Sequence, residues 1–254
     1  MSSTSETGHA KNLARFGKLI NITESMPSSL YNPAKQRLFT GAMREQERMA
    51  IDALTGLKKE EDLFNKIRNE RADAFEALEP FLPRILSNIV LAETSARDLD
   101  NAQSLVARIR GEHRSARQPQ KAAGTGTPPV AGAEEEDSYH ISVSQQSFDS
   151  KIDHFQKLII LINSLPNYAT NDGELTKEAL QLRLNHLSAL NKETDKAGRQ
   201  LMGARHVRDV TFYSDKTGLL ATVKLVKAYL RTLADGTQNA YYTAATRIQF
   251  RDLS

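Results

Sequence analysis

The sequence contains one pattern of residues twice, at a fixed distance along the chain. Phe16, Lys18, Leu19, Ile20 and Pro27 recur 139 positions later as Phe155, Lys157, Leu158, Ile159 and Pro166. Further along, after a slip of two positions, Arg71 and Phe75 match Arg208 and Phe212. Repetition at a fixed distance indicates repeated supersecondary units, and two copies favour a pseudo-symmetric pair over an open solenoid. The sequence therefore predicts two units of one helical design.

The composition favours helices over sheets. Only 6% of the 254 residues are aromatic, there is no tryptophan, and glycine occurs 13 times. Strands are enriched in aromatic and β-branched residues, whereas long helices with alanine and leucine seams need few of either. We therefore expect an all-α protein of two pseudo-repeated antiparallel helical bundles with long helices, joined by a flexible linker.

The domain boundaries follow from an abrupt change of composition after Lys121. Residues 121–147 are rich in glycine, threonine, proline and alanine, and they include the acidic run Glu134, Glu135, Glu136 and Asp137. Such a segment buries too little apolar surface to offset its conformational entropy. We predict helical unit 1 over 1–120, a flexible linker over 121–147, and helical unit 2 with a C-terminal tail over 148–254. An acidic recognition tail is the alternative for the linker.

Apolar periodicity and proline positions predict three-helix bundles in both units. The expected helices cover 8–24, 34–78 and 81–92 in unit 1, the third extending or bending into a segment over 99–109, and 147–165, 180–201 and 219–233 in unit 2. The long helices carry apolar seams: Leu38, Met49, Ala53, Leu57, Phe64, Ile67, Ala74 and Leu78 in the first, and Leu180, Leu184, Leu187, Ala197 and Leu201 in the second. Asp172 or Thr176 is the expected N-cap of the second long helix. Residues 247–250 alternate as a strand would, within an ordered tail.

The sequence contains no segment that suggests membrane insertion or export. No stretch approaches the roughly 20 apolar residues that a spanning helix needs. The first twelve residues are polar and lack the apolar centre of a signal peptide. Cysteine is absent, which is compatible with a reducing compartment. We predict a cytoplasmic protein without a transmembrane segment.

The motifs of common enzymes and metal sites are missing from the sequence. The six histidines show neither an HxxxH nor an HExxH spacing, although His154 and His186 could approach one another between helices. There is no Glu-x-x-His element of a di-iron bundle, no P-loop, no GxGxxG and no nucleophile elbow. We predict a non-enzymatic protein with no catalytic residues, no metal and no cofactor.

A basic segment before the linker is the candidate binding site. It contains Arg108, Arg110, Arg114, Arg117 and Lys121, which could neutralise phosphates in a salt-dependent and sequence-independent way. A second basic cluster, Lys216, Lys224, Lys227 and Arg231, could extend the surface. Glu112 interrupts the first cluster, and no aromatic residue is interleaved for base stacking. These features weaken the prediction of nucleic acid binding.

Two further features are predicted to be structural. Arg71 and Arg208 each precede a phenylalanine by four residues, so we expect them to pair with a facing acid or to lie along the seam of a bundle. The tripeptide Tyr31-Asn32-Pro33 is predicted to form a turn.

Several short segments stand in a specific order along almost the whole chain. They are residues 6–12 with the sequence ETGHAKN, Tyr31-Asn32-Pro33, Ile109-Arg110-Gly111 before the acidic linker, Ser147-Phe148-Asp149, and Tyr213 with Thr217-Gly218-Leu219. In these segments the chain resembles an uncharacterised bacterial family of duplicated helical-bundle proteins. That family has no established activity, so the resemblance implies a fold and no catalytic or binding residues.

The leading hypothesis for function is a scaffold or interaction protein that binds protein partners, including a second copy of itself. The alternative is a nonspecific polyanion binder, in which the basic segment contacts nucleic acid or an anionic membrane. A helical pore-forming or membrane-remodelling protein is a third possibility, disfavoured because no apolar tongue is present in the sequence. A defined oligomer or partner would support the first, salt-sensitive binding the second, and liposome leakage the third.

Overall fold

The computed structural model describes residues 4–111, 147–234 and 236–252, with side chains from Gly8 onward. All regular secondary structure in these ranges is helical, which confirms the predicted all-α class. Within these ranges, 3-10 turns lie at Gln36–Leu38, Gly173–Leu175 and Gly236–Gln238. The α-helices are α1 (Thr4–Glu24), α2 (Thr40–Glu76), α3 (Phe81–Leu91), α4 (Ala96–Arg110), α5 (Phe148–Ser164), α6 (Lys177–Tyr213), α7 (Leu219–Arg231) and α8 (Ala240–Arg247).

Helices α2 and α6 are both 37 residues long. The prediction that the first long helix begins at Ala34 is wrong, because Pro33 is followed by a 3-10 turn and α2 begins at Thr40. Helix α6 begins after Thr176, whose hydroxyl accepts a 3.2 Å hydrogen bond from the backbone N–H of Ala179. Thr176 is therefore the N-cap, as one of the two predictions had it. Asp172 instead caps the preceding 3-10 turn.

The other helix ends follow from local chemistry. The hydroxyls of Ser95 and Ser147 accept hydrogen bonds from backbone N–H groups three residues later, and so cap α4 and α5. Gly111 ends α4 with a φ of 73°, a left-handed conformation that glycine adopts without a Cβ penalty. Pro83 lies in the first turn of α3, where its missing N–H removes no helical bond.

The predicted strand-like tail is wrong. Residues 240–247 form α8, capped by the side chain of Asn239, and no strand occurs in the described ranges. Ile248 and Phe250 follow the helix and are partly buried against a hydrophobic core. Their alternation therefore reflects one-sided packing of an extended segment, because no neighbouring strand in these ranges supplies hydrogen bonds.

The compact units of the structure do not follow the two halves of the sequence. Among the described residues, one unit combines 1–66 with 195–254, and the other is formed by 67–194. Below, they are called the terminal unit and the central unit. Helix α2 begins in the terminal unit and ends in the central unit, whereas α6 begins in the central unit and ends in the terminal unit. Each compact unit therefore contains helices from both predicted halves, and the predicted boundary at 121–147 lies mainly outside the described residues.

The core of the terminal unit joins residues from both ends of the chain. Helix α1 contributes Phe16, Leu19 and Ile20, and α6 contributes Phe212, all fully buried. The remaining buried members are Met26, Leu38, Met43, Ala50, Leu219, Leu220, Val223, Val226, Leu230 and Ala245. Burial of a large apolar side chain stabilises a protein by about 1.5–3 kcal/mol, so neither end of the chain is dispensable.

The core of the central unit is formed by the end of α2, by α3, α4 and α5, and by the start of α6. Its largest fully buried residues include Leu78, Leu82, Ile85, Ile89, Ile109 and Phe155. The predicted seam of the second long helix is buried at all five positions. In the first long helix Met49 departs from the prediction, because 53% of it is exposed.

Candidate functional site

The structure describes two of the five residues of the predicted polyanion site. Arg108 and Arg110 lie in the last turn of α4, whereas Arg114, Arg117 and Lys121 lie outside the described residues. The Nε atom of Arg110 is 3.6 Å from Oε2 of Glu79, an ion pair within the central unit. Arg108 is exposed and makes no such pair with a described residue. The two neighbouring arginines therefore have different surroundings.

The second basic cluster does not form a free cationic surface. The Nζ atom of Lys227 donates a 2.8 Å hydrogen bond to the carbonyl oxygen of Ile248, and burial lowers the pKa of Lys227. This lysine holds the C-terminal segment against the terminal unit. Lys216, Lys224 and Arg231 are exposed on its surface.

The structure describes four of the six histidines, and two of these four lie among other side chains of the fold. Within the described ranges no group of three His, Cys, Asp or Glu side chains could hold a metal ion. His9 is buried, with its ring edge-on to Phe212 and Tyr213 at centroid distances of 5.5 Å. Burial lowers the pKa of His154, Asp153 opposes this shift, and the charges of Arg108 and Lys157 add to it. These histidines are packing residues.

Arg71 belongs to a polar cluster in the central unit, which we call the Arg71 cluster: Arg71, Phe148, Asp149 and Asn191. Nη1 of Arg71 donates to Oδ1 of Asn191 at 2.8 Å, and Nδ2 of Asn191 donates to Oδ1 of Asp149 at 2.6 Å. The guanidinium lies 4.0 Å from the centroid of the Phe148 ring. Asn191 is only 5% exposed, so the cluster joins three helices inside the fold.

Arg71 has a structural role, as predicted, but its partner was not predicted. The side-chain amide of Asn191 links Arg71 to the carboxylate of Asp149. No local pattern in the sequence indicates that Asn191 is buried on α6. Arg208, its match in the sequence, bonds to the carboxylate of the adjacent Asp209 at 2.9 Å. One turn later, Phe212 contacts His9 as Phe75 contacts Phe148. Both arginine–phenylalanine pairs thus stand beside the start of another helix.

The terminal unit contains a surface groove that the sequence analysis did not predict, here called the α2–α6 groove. It has a volume of about 550 Å³. Its lining residues on α2 are Met49, Asp52, Ala53, Gly56, Leu57 and Glu60, and those on α6 are Gln200, Ala204, Val207 and Thr211. On each helix these positions fall on one face, since they recur at intervals of three or four residues.

Small and apolar residues shape the α2–α6 groove. Ala53 and Leu57 are buried at its base, and a Cβ at Gly56 would meet no atom within 4 Å. Met49 and Val207 are 53% and 55% exposed at its edges. A second groove of about 370 Å³ shares Met49 and Thr211 with the first and adds the exposed Val210. The two grooves therefore share the exposed side chain of Met49, and polar residues such as Gln46 and Thr217 line the second.

The α2–α6 groove carries negative charge. Asp52 and Glu60 line it and none of its lining residues is cationic, although Arg48 beside the groove pairs with Asp52 at 3.5 Å. Oε2 of Glu60 is buried and has no hydrogen-bond partner among the described residues. A buried carboxylate oxygen without a donor costs free energy, and a donor from a bound molecule would remove that cost. The groove therefore offers apolar surface beside an unsatisfied acceptor.

Comparison with known proteins does not assign this chain to a family. No protein-family model matches it, and neither the curated proteins nor the solved structures include a significant match. The resemblance to a bacterial family of duplicated bundles stays a prediction. None of the described helices combines the length and the apolar character that crossing a membrane requires.

Proposed function

We propose that this chain is a non-enzymatic interaction protein whose α2–α6 groove binds an amphipathic helix of a protein partner. The observation that carries the proposal is the juxtaposition of exposed Met49 and Val207 with the acceptor of Glu60 in one groove. Contiguous exposed apolar surface on a soluble helical unit is typical of interaction sites. An amphipathic helix bound in an apolar groove is a common mode of peptide recognition.

The charged residues that line the groove indicate which kind of helix would bind there. Because the carboxylates of Asp52 and Glu60 line the groove and Arg48 pairs with the first, a helix with a basic residue placed near Glu60 beside its apolar stripe fits best. The basic side chain would pair with the carboxylate of Glu60, and apolar side chains would cover Met49 and Val207. Rim charges mainly set association rate and specificity, whereas the apolar contact supplies most of the affinity.

Fluorescence anisotropy with two labelled model helices tests the proposal. One probe is an amphipathic helix of leucine and lysine, and its control is the same pattern with glutamate in place of lysine. We expect the leucine–lysine helix to bind the full-length protein at least tenfold more tightly, an effect of about 1.4 kcal/mol. Equal binding of both helices, or preference for glutamate, would contradict the charge assignment.

Gly56→Leu should block the groove without destabilising helix α2. A Cβ at this position meets nothing within 4 Å, so the leucine side chain would occupy the groove. Leucine also favours a helix interior over glycine by roughly 0.8 kcal/mol. Gly203→Leu is the matched control, because Gly203 is equally open but does not line the groove. We expect Gly56→Leu alone to abolish probe binding, while both variants unfold no more easily than the wild type.

Analytical ultracentrifugation of the same three proteins tests self-association. If the wild type forms a dimer that only Gly56→Leu dissociates, the occupant of the groove is a second copy of this chain. Probe binding that Gly56→Leu leaves intact would overturn the proposed site.

Polyanion binding by the basic segment is retained as the second candidate, with Arg108 as its best-placed residue. Arg108 is exposed and has no acidic partner among the described residues, whereas Arg110 faces Glu79. Anisotropy of labelled duplex DNA and single-stranded RNA at low and physiological salt tests this candidate, since phosphate contacts weaken steeply with salt. Insensitivity to Arg108→Ala would contradict it.

We also propose that the chain arose by internal duplication and acts in the cytoplasm. Support for duplication comes from the two 37-residue helices and from the paired Arg71–Phe75 and Arg208–Phe212 positions. Support for the compartment comes from the absence of cysteine. Localisation of a fluorescent fusion tests the second of these proposals.

A further inference from the structure

Helices α4 and α5 of the central unit form a second groove, which is separate from the proposed protein-binding site. It has a volume of about 430 Å³. Its lining residues are Asn101, Ser104, Leu105 and Arg108 on α4, and Lys157, Ile160, Leu161 and Ser164 on α5. Each set has the spacing i, i+3, i+4 and i+7, which places four side chains on one face of a helix. One row of four side chains from each helix therefore lines the same groove.

This groove, here called the α4–α5 groove, is cationic. The side chain of Arg108 lines the groove and makes no hydrogen bond or ion pair with another described residue. Lys157 lines it as well and donates to Oδ2 of Asp153 at 2.6 Å, a pair exposed to solvent. The charges of both Arg108 and Lys157 lower the pKa of His154, which lies one turn before Lys157. The two cations therefore act on the same region of α5.

The middle of the α4–α5 groove is apolar. Leu105 and Leu161 are half-buried, and Ile160 is 59% exposed. Asn101, Ser104 and Ser164 add neutral polar atoms. A site that combines cations with an open apolar surface matches a molecule that is anionic at one end and hydrocarbon at the other.

We propose that the α4–α5 groove binds an amphipathic anion, with Arg108 and Lys157 contacting the anionic group and Leu105, Ile160 and Leu161 contacting its hydrocarbon chain. Arg108 can bind a carboxylate or phosphate through two parallel N–H donors, and Lys157 adds a point charge. The hydrocarbon chain gains affinity by covering Ile160, whose exposure to water is unfavourable. Exposed charges alone bind small anions weakly in salt, so the groove requires both parts of the ligand.

Isothermal titration calorimetry of the full-length protein with decanoate tests the site. We expect saturable binding at concentrations below micelle formation, and at least tenfold weaker binding for Arg108→Ala and for Ile160→Ser. Arg97→Ala is the matched control, because Arg97 is exposed on the same helix and lies three turns before Arg108 outside the groove. It should bind within twofold of the wild type.

Three further outcomes decide the proposal. Acetate should not bind, and acetate binding as tight as that of decanoate would overturn the need for a hydrocarbon chain. Arg110→Ala should leave decanoate binding unchanged, since Arg110 faces Glu79, and a loss equal to that of Arg108→Ala would overturn the groove in favour of the whole basic segment. Decanoate binding unaffected by Arg108→Ala would also overturn it.

Vesicle sedimentation distinguishes a free anion from a lipid at a membrane surface. If the source is a bilayer, vesicles of phosphatidylglycerol should sediment the wild-type protein, vesicles of phosphatidylcholine should not, and Arg108→Ala should abolish the effect. If the source is a free anion, decanoate should bind and neither vesicle should sediment the protein. The proposal is overturned if decanoate fails to bind and vesicle sedimentation does not depend on Arg108.

Discussion

The hydroxyl of Tyr168 donates a 3.0 Å hydrogen bond to the carbonyl oxygen of Leu175, seven residues later. Tyr31 makes the corresponding bond to the carbonyl oxygen of Leu38, at 2.8 Å and with the same separation. Each bond closes the loop that precedes one of the two long helices. Tyr31 was expected only as part of a turn, and the bond shows what this tyrosine does there. It satisfies a carbonyl beside the core and so fixes where the loop turns into α2.

Burial of Tyr31 predicts a loss of stability at alkaline pH. Burial, with a smaller contribution from Tyr229, raises the pKa of the Tyr31 hydroxyl to about 12. Because the folded state favours the neutral phenol, this stabilisation is complete below the ordinary pKa of about 10 and is lost as the pH rises towards 12. We expect the free energy of unfolding of the wild type to fall more steeply over this interval than that of Tyr31→Phe. Urea unfolding at a series of pH values measures both slopes, and parallel slopes would contradict the assignment.

Removal of the central amide of the Arg71 cluster should destabilise the protein. Asn191→Ala deletes the buried group that accepts from Arg71 and donates to Asp149, and leaves the half-buried Arg71 and the exposed Asp149 with one partner fewer each. We expect a loss of roughly 1–3 kcal/mol in the free energy of unfolding. Urea denaturation monitored by circular dichroism provides the value.

Asn185→Ala is the matched control for this measurement. Asn185 lies on the same helix but is exposed, and its side chain bonds only to Gln181 among the described residues. A change within about 0.5 kcal/mol is expected at such a surface position. If the two alanine variants are equally stable, the Arg71 cluster contributes nothing to folding.

Gly218 is required by close backbone packing at the start of α7. A Cβ at this position would lie 2.6 Å from the backbone nitrogen of Ser214 and 2.9 Å from the carbonyl oxygen of Phe212. Backbone atoms cannot move aside as a flexible side chain can, so Gly218→Ala should cost about 1–3 kcal/mol. Gly173→Ala, where a Cβ meets nothing within 4 Å, should leave the melting temperature nearly unchanged. Differential scanning calorimetry compares the two, and equal melting temperatures would refute the packing argument.

The composition of the two compact units predicts that the sequence halves cannot fold alone. A fragment of residues 1–120 contains Phe16 without Phe212, and a fragment of residues 148–254 contains Phe155 without Ile89. Each fragment would contain only part of each hydrophobic core and would expose those apolar residues to water. We expect neither fragment to unfold cooperatively, and we expect an equimolar mixture to regain the cooperative transition of the intact chain. Cooperative melting of either fragment alone would support independent bundles instead.

Much of the helical structure could be predicted from the sequence, because it depends on local signals. Thr176, Ser147 and Gly111 act through bonds within a few residues of themselves, and apolar periodicity located α6 over 180–201, although the helix continues to Tyr213. The strand-like interpretation of the tail failed because periodicity over four residues does not separate a strand from an extended segment packed on one side. Local signals also gave no reason to separate the 3-10 turn Gln36–Leu38 from α2, which begins at Thr40.

The candidate sites could not be predicted in the same way, because they depend on which helices become neighbours. Met49 fits an apolar seam by its spacing, but its exposure is decided by the gap between α2 and α6. Arg108 and Arg110 look equivalent in sequence, yet among the described residues only the second meets an acid, and that acid belongs to the segment before α3. Sequence spacing shows which residues share one face of a helix, but only the folded structure shows which faces pack against each other.

The discontinuity of the terminal unit has a consequence for synthesis of the chain. Residues 67–194 are continuous, so the central unit can fold as soon as they have left the ribosome. Phe16, Leu19 and Ile20 are made before the central unit, but their partners on α6, α7 and α8 are made after most of it. Until then the apolar face of α1 remains in contact with water or with a chaperone. Helix α1 is therefore synthesised before the central unit and buried after it.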